Sequence, residues 1–338
     1  MSGFDIPKID LHLHLDGAIE PALLFELARE RHIDLPAKSA EELVPFVVYD
    51  PACHSVNEYL KKFELPTAVL QDAEALERVT YKLGLRLKKQ GLAYAEIRFA
   101  PQLHTKKGLS QRDAILAVEH GARRATADAG IPLCIICCCM SFGNASLNRD
   151  ANIETVKTAA ALHNDVVRAV DLAGAEGLCP LTDYAELFEL ARSLDIPYTC
   201  HAGDSVGADT VEQAITVFGS RRIGHGHHAY DDPEVLKLAL SEGVTFEICL
   251  SSNIQCETQP SFEQHPAKKM LEMGHRITLN TDNPVIADTT LDKEYAIALE
   301  RCGFTERDLV LMNLNSARAA FAPVEITAPI IAALEQLL

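Results

Sequence analysis

The sequence predicts a parallel (β/α)8 barrel of the TIM type, with extra helices inserted after the first strand. Eight short, apolar, β-rich segments recur along the chain, and segments with helical patterns separate them. Four polar motifs containing histidine or aspartate stand at the ends of such strand segments. A parallel barrel brings the C-terminal ends of all its strands to one face, where the chemistry of these proteins takes place.

The eight strand segments are continuous apolar runs, as expected for parallel strands that are covered on both faces. In chain order they are Lys8–Leu15, Ala93–Ala100, Pro132–Met140, Val166–Leu172, Pro197–His201, Arg222–Gly226, Thr245–Leu250 and Arg276–Asn280. Reference positions in successive segments lie 84, 41, 34, 30, 24, 24 and 33 residues apart. Every interval after the first fits one crossover helix with its loops, which favours a single barrel domain over residues 1–338.

The long first interval contains helical patterns. Apolar residues recur with helical spacing in Ala22–Arg31 and Asp72–Lys89, so we expect inserted helices beside the barrel mouth over roughly residues 20–90. Later helices are marked at their starts, for example where Asp232 precedes Pro233, because aspartate caps a helix and proline suits its first turn.

Composition restricts the class of protein. The chain has 31 lysine and arginine residues against 48 aspartate and glutamate residues, a net charge of −17 that disfavours nucleic acid and anionic membranes as partners. No basic segment followed by an apolar core opens the sequence, and the ten cysteines lie within apolar stretches, as reduced thiols do. We therefore expect a cytoplasmic enzyme that acts on a small molecule without an obligatory protein partner.

Two histidines on the first strand segment indicate a metal site. His12 and His14 are two residues apart, so their side chains point to the same face of a strand. His201 ends the fifth segment and Asp282 follows the eighth. Three imidazoles and a carboxylate are the ligand set of a catalytic Zn²⁺ ion, which keeps one position open for water and lowers the pKa of that water toward neutrality.

Taken together and in order, the motifs resemble the adenosine deaminase family of the metal-dependent amidohydrolase superfamily. The matching segments cover nearly the whole chain and are residues 12–17, 94–99, 171–174, 201–203, 222–226 and 279–282. The resemblance implies a zinc-dependent deaminase of purine metabolism that converts the ring C–NH2 of adenosine, or a related 6-aminopurine nucleoside, to C=O and releases ammonia.

The resemblance also implies roles for individual residues. One zinc ion per subunit would be held by His12, His14, His201 and Asp282, and Asp282 would also belong to the catalytic residues. His225 would orient and deprotonate the attacking water, and Asp204 would protonate the ring nitrogen. The residues implied to contact the substrate are His14, Asp16, Phe63, Gly174 and Asn283, with Asp16 at the sugar, Gly174 at purine N3 and Phe63 in a lid.

Two positions depart from the family's pattern. Asp204 stands where the family has glutamate, and its carboxyl group is one methylene shorter than the acid it replaces. General acid catalysis needs heavy atoms within roughly 2.6–3.2 Å, and a displacement of about 1 Å can lower the rate on the order of a hundredfold. Asn283 stands where the family has a second aspartate at the purine N7 edge, and an amide can donate as well as accept there.

These departures leave three hypotheses open. The protein deaminates adenosine or a related 6-aminopurine, or it acts on a different or N6-substituted amino-heterocycle, or it is a nucleoside-binding homologue with weakened catalysis. The complete ligand set and His225 argue against the last hypothesis.

Two further expectations concern the second strand segment. Glu96 and Arg98 form a pair inside the barrel, and His104, just beyond the segment, contacts substrate or is exposed to solvent.

Overall fold

Eight parallel strands run through the residues that the structure, a computed structural model, describes: 4–50 and 61–338. They are β1 (Lys8–His14), β2 (Leu92–Phe99), β3 (Leu133–Ser141), β4 (Val167–Gly174), β5 (Cys200–Ala202), β6 (Arg222–His225), β7 (Thr245–Ile248) and β8 (Arg276–Leu279). All eight predicted strands are confirmed.

Hydrogen bonding closes the strands into a barrel. The order β1-β2-β3-β4 forms one parallel sheet and β5-β6-β7-β8 forms another. Isolated parallel bridges join the two sheets, one between Val170 on β4 and Tyr198 just before β5, the other between Leu13 on β1 and Asp282 just after β8. The predicted TIM-type barrel is therefore the fold of this chain.

Helices connect the strands on the outside. Between β1 and β2 lie α1 (Pro21–Glu30), α2 (Ala40–Val47), α3 (Glu64–Val69) and α4 (Ala73–Lys89), where helices inserted after the first strand were predicted. The remaining helices are α5 (Gln111–Ala129), α6 (Arg149–Ala161), α7 (Ala185–Ser193), α8 (Ala208–Thr216), α9 (Pro233–Ser241), α10 (Leu250–Gln255), α11 (Ala267–Glu272), α12 (Leu291–Arg301), α13 (Glu306–Ala319) and α14 (Val324–Glu335). No helix in the described part of the chain is long and apolar enough to cross a bilayer.

The helix starts follow the local chemistry of the sequence. Asp72 accepts a hydrogen bond from the Ala75 N–H at 2.9 Å and caps α4. Asp232 accepts one from the Glu234 N–H at 2.8 Å, and Pro233 is the first residue of α9, as predicted. The side chains satisfy backbone donors that have no partner inside the helix.

The barrel interior contains charged side chains, and the predicted pair of Glu96 with Arg98 is wrong. Arg98 donates to Asp171 at 2.8 Å and to Glu247 at 2.7 Å, whereas Arg222 donates to Glu96 at 2.7 Å. Glu96 and Arg98 follow each other along β2 on the same face, about 6–7 Å apart, so partners across the barrel are nearer.

The cysteines of the described residues are all free, and six of them are buried. Burial raises the pKa of the Cys137 thiol, so it stays protonated. Cys134 and Cys137, which stand in a C-x-x-C spacing within β3, are both buried and belong to the core.

Candidate active site

Three histidines and one aspartate meet at the C-terminal ends of the strands. His12 and His14 lie on β1, His201 lies on β5, and Asp282 follows β8. We call these four residues the His–Asp cluster. The Nε2 atoms of His12 and His14 are 3.3 Å apart, and each lies 3.4 Å from Asp282 Oδ1. A ring nitrogen of His201 lies within 4.8 Å of ligand atoms of both other histidines.

These spacings fit a tetrahedral metal ion. Ligand atoms bound at about 2.0–2.1 Å from a tetrahedral zinc ion lie roughly 3.4 Å from one another. The three closest separations in the His–Asp cluster have this value. The donor set and these spacings therefore fit a tetrahedrally coordinated divalent metal ion.

Two buried carboxylates orient the imidazoles from behind. Glu247 Oε2 lies 2.9 Å from His12 Nδ1, and Asp171 Oδ2 lies 3.0 Å from His201 Nδ1. Each carboxylate fixes the proton on Nδ1 and leaves the lone pair of Nε2 for the cluster. Arg98 donates to both carboxylates, so one guanidinium ties the two orienting groups together.

The surroundings also set the charge of the cluster. Burial lowers the pKa of His12 and of His14, which keeps both rings in the neutral form that binds a metal. For His201 burial works in the same direction, but the Asp171 carboxylate outweighs it and raises the pKa. Ser252 on α10 donates to Asp282 Oδ2 at 2.6 Å, so Oδ1 is the oxygen that faces the histidines.

Asp204 and His225 lie beside the cluster. His225 ends β6, and one of its ring nitrogens lies within 4.8 Å of ligand atoms of His12 and Asp282. Asp204 Oδ1 lies 3.6 Å from His225 Nδ1. Asn253 Nδ2 bridges the two side chains, at 2.8 Å from Asp204 Oδ1 and 3.1 Å from His225 Nδ1. The structure thus brings together all the catalytic residues that the sequence predicted.

Two of the site residues have strained backbones. His225 has φ 59° and Asp282 has φ 57°, in the left-handed region that non-glycine residues rarely adopt. Both lie at the point where the chain leaves the end of a strand, and both side chains face the cluster. Such strain is typical of positions where the fold holds a side chain for function.

The loop that carries Asp204 is held by Glu176, a residue that sequence reasoning missed. The Glu176 carboxylate accepts hydrogen bonds from four successive N–H groups, those of residues 203–206, at 2.6, 3.0, 2.7 and 3.3 Å. The Thr210 hydroxyl donates to it as well, at 2.8 Å. Successive N–H groups form a concave anion site, which this carboxylate fills from within the chain.

The predicted substrate residues lie around the same mouth. Gly174, at the end of β4, is exposed and has φ 108°, and a side chain there would lie 2.6 Å from the Ser141 carbonyl oxygen. Asn283 is buried against Gly17, the residue after the half-buried Asp16, and its Oδ1 has no hydrogen-bond partner within the described residues. Phe63 immediately precedes α3, which packs against the turn of Asp16–Ala18.

Of the two alternatives for His104, contact with substrate or exposure to solvent, the structure excludes exposure. His104 is buried, and its Nδ1 donates to the Leu70 carbonyl oxygen at 2.8 Å. The ring also packs against Phe99, with centroids 5.8 Å apart. The histidine therefore ties the end of β2 to the inserted helices, because the helical insertion covers this side of the barrel.

Comparison with known proteins identifies the family. The adenosine deaminase family model matches residues 7–337. This chain belongs to the adenosine deaminase family. An adenosine deaminase of Haemophilus ducreyi is 39% identical over 332 residues, covering 97% of this chain and 95% of that protein. One from Vibrio vulnificus is 36% identical over 329 residues, covering 94% and 96%.

Solved structures share the barrel of this deaminase. The adenine deaminase of Arthrobacter aurescens superimposes with a TM-score of 0.88 at 24% identity, over 98% of this chain and 99% of that one. An amidohydrolase of Burkholderia ambifaria, solved with bound zinc, has a TM-score of 0.87 at 23% identity, over 98% and 90%. The N6-mAMP deaminase of Arabidopsis has a TM-score of 0.85 at 24% sequence identity, over 98% of each chain.

Family membership gives the reaction class. The protein is a hydrolytic deaminase of adenosine-like substrates and belongs to a metal-dependent family. Two of the structural neighbours were solved with bound nucleotides, GMP in one and IMP in the other.

Proposed function

We propose that this protein deaminates adenosine or a closely related 6-aminopurine nucleoside at C6, with one zinc ion held by His12, His14, His201 and Asp282. The observation that carries the proposal is the position of Asp204 and His225, joined through Asn253, beside the His–Asp cluster. A bound zinc ion supplies Lewis acidity at this point.

Asp204 is the acid in this proposal. Its Oδ1 accepts from Asn253 at 2.8 Å and from Thr258 at 3.3 Å, so Oδ2 is the oxygen free to bring a proton to the ring nitrogen next to C6. Protonation there removes aromatic stabilisation and makes C6 electrophilic. His225 orients the water that attacks C6. Of the two water protons, one leaves on the amino group as ammonia and the other returns to the Asp204 carboxylate, so the product carries C6=O and a protonated ring nitrogen. The four hydrogen bonds from residues 203–206 to Glu176 hold the short Asp204 side chain in place.

The remaining contacts hold a nucleoside. Asp16 accepts from a sugar hydroxyl, Gly174 offers backbone to purine N3, Asn283 reaches the N7 edge, and Phe63 covers the ring. A carboxylate at position 283 would require a proton on N7, whereas the amide can donate to a bare N7. Asn283 therefore suits the neutral purine of a nucleoside. We place this reaction in the cytoplasm.

A second candidate substrate is a 6-aminopurine base without a sugar. An amide at position 283 can also accept, through Oδ1, from a ring N–H, which a free purine base has and a nucleoside lacks. This oxygen packs against Gly17 and has no hydrogen-bond partner among the described residues. An N6-substituted adenosine is another candidate substrate. Asp204 is shorter than the glutamate of the family and leaves more space beside N1, next to which a substituent on N6 would lie.

An ammonia-release assay decides among these substrates. The zinc-loaded protein is tested with adenosine, 2′-deoxyadenosine, adenine and N6-methyladenosine (which releases methylamine, detected separately), and Asp204→Glu is tested in parallel. We expect the highest kcat/KM for adenosine or its deoxy form. A higher value for adenine or the N6-methyl compound would replace the nucleoside assignment, and no turnover of any of them would overturn the proposal.

Two substitutions test the catalytic assignments. Asp204→Asn removes the acid and His225→Ala removes the group that orients the water, so we expect each to lower kcat by about 100-fold or more. Metal content and melting temperature are measured alongside, and both proteins should retain zinc. A variant that keeps full kcat would remove its residue from the mechanism.

A further inference from the structure

Asn253 lies between the two residues to which we assign the reaction chemistry. The side chain is fully buried on α10. Its Nδ2 atom lies within hydrogen-bond distance of Asp204 Oδ1 and His225 Nδ1, and its Oδ1 lies 3.2 Å from His265 Nε2. One amide therefore contacts a carboxylate and two imidazoles.

The direction of these hydrogen bonds follows from a backbone group. The Ala267 N–H, which can only donate, lies 3.2 Å from His265 Nδ1, so this nitrogen accepts. A neutral imidazole then carries its single proton on Nε2, and His265 donates to Asn253 Oδ1. Burial lowers the pKa of His265 to about 3, which keeps the ring neutral.

The orientation of Asn253 is thereby determined. With Oδ1 turned to His265, the amide NH2 group faces Asp204 and His225. This group has two hydrogens and accepts none, so one hydrogen goes to Asp204 Oδ1 and the other to His225 Nδ1. The nitrogen of His225 that accepts must be unprotonated, so the ring carries its proton on Nε2.

We propose that Asn253, oriented by His265, is a positioning residue that holds Asp204 through Oδ1 and fixes His225 as the Nε2–H tautomer. The proposal deepens the proposed function, on which the roles of Asp204 and His225 rest. His225 then presents an N–H at Nε2, so it orients the attacking water by donating a hydrogen bond and does not remove a proton at that nitrogen. This differs from the role as base that the family resemblance implied.

The tautomer can be measured without any activity. Two-bond ¹H–¹⁵N correlation spectra of the ¹⁵N-labelled, zinc-loaded protein separate the two neutral tautomers of each histidine, and His225→Gln assigns the His225 signals. We expect the Nε2–H form for His225 and for His265. An Nδ1–H form of His225 would overturn the proposal, whatever the substrate proves to be.

Kinetics of Asn253→Ala and His265→Ala test the positioning. We expect each to lower kcat on the order of 10- to 100-fold on the substrate that the panel selects, with KM changed less than threefold and zinc retained. His265 acts only through its hydrogen bond to Asn253, so the double variant should be no slower than the slower single variant. The inference would be contradicted if the losses of kcat in the two single variants multiplied in the double variant, or if either single variant kept the kcat of the unaltered protein.

Asn313→Ala is the matched control. Asn313 is an equally buried amide on α13 that bonds to Tyr295 and to the Ile9 N–H, near the start of β1 and far from the His–Asp cluster. We expect it to lower the melting temperature without changing kcat. If the Asn253 variants do not fold, the spectra of the unaltered protein still decide the tautomer.

Discussion

Asp171 and Glu247 decide which nitrogen of His201 and His12 faces the cluster. Neither carboxylate is itself in the His–Asp cluster, yet each lies about 3 Å from an Nδ1 atom and is buried. Partners of this kind are typically worth 10- to 100-fold in metal affinity. Each carboxylate acts through the imidazole that it orients, so its loss should lower metal affinity more than it lowers the stability of the fold.

Replacement of Asp171 by asparagine tests this effect. The amide has the same size but no charge, so we expect zinc affinity to fall about 10- to 100-fold in a competition titration with a chromophoric chelator. The control is Asp165→Asn, which removes an exposed carboxylate that bonds Arg123 just before β4. Equal affinity in Asp171→Asn and the unaltered protein would contradict the orienting role.

The residues of the cluster were predictable from the sequence because each stands at a recognisable strand end. The pairing of Glu247 and Asp171 with the imidazoles was not predicted, since Glu247 is 235 residues from His12 and meets it only through barrel closure. A signal was present, however. Glu247 and Asp171 are charged residues inside segments that are otherwise apolar, and a buried charge needs a partner.

The loop of residues 203–206 shows how one segment positions the acid. It connects β5 to α8, and its N–H groups all point to Glu176 in the loop after β4. Gly174, a predicted substrate contact, is two residues before Glu176. The predicted substrate contact at the end of β4 and the anchor of the Asp204 loop are therefore close together in the sequence.

Glu176→Gln should disturb this loop selectively. The amide is isosteric but uncharged, and its NH2 end would face backbone donors, so we expect kcat to fall on the order of tenfold or more with a small loss of melting temperature. The measurement is kcat with the melting temperature of the same sample. Glu186→Gln on α7, which removes an exposed ion pair with Arg149, should leave both unchanged. A Glu176→Gln enzyme with normal kcat would show that the loop holds Asp204 without this anchor.

The strands were predictable because buried parallel strands must be apolar on both faces, and β5 shows the limit of that rule. Its predicted segment began at Pro197, but the regular strand begins at Cys200. Proline lacks an N–H, and the preceding residues join β4 only through the isolated bridge at Tyr198. Hydrogen bonds between a side chain and backbone N–H groups far away in sequence, such as those that the Glu176 carboxylate accepts from residues 203–206, have no periodic signal.

Stability of the barrel should depend on pH through buried neutral histidines. Burial lowers the pKa of His104 to about 4. Below pH 6.5 the unfolded chain binds a proton that the folded protein does not bind until about pH 4. The free energy of unfolding therefore decreases as the pH falls through this window, by up to roughly 1.4 kcal/mol per pH unit for this group.

His104→Gln isolates this contribution. Glutamine can still donate to the Leu70 carbonyl oxygen but does not titrate, so urea unfolding at pH 7.5, 6.0 and 5.0 should show a shallower loss of stability than in the unaltered protein. His120→Gln, at an exposed position on α5, should keep the original pH dependence. Identical slopes for His104→Gln and the unaltered chain would mean that other groups cause the acid sensitivity.

The His–Asp cluster spans the seam between the two halves of the barrel. His12 and His14 belong to the first four-stranded sheet, whereas His201 belongs to the second and Asp282 follows its last strand. Two isolated bridges join these sheets, one between β4 and Tyr198 and the other between Leu13 and Asp282. At the second bridge, two backbone hydrogen bonds of 2.7 Å connect Asp282 to His12 and His14. A metal ion held by the cluster would cross-link both sheets at this seam.

Removal of the metal should therefore loosen the seam more than the rest of the barrel. A ligand present at 100 times its dissociation constant stabilises the folded state by about 2.7 kcal/mol, so chelation should lower the melting temperature measurably. Hydrogen exchange of the His14 and Asp282 amides should accelerate after chelation and recover when zinc is returned. Amides within α13, on the outside of the barrel, are the internal reference. A metal ion that bridges the two sheets slows local opening only at the seam between them. Equal acceleration of exchange at the seam and in α13 would therefore show that the ion stabilises the whole fold and has no particular role at the seam.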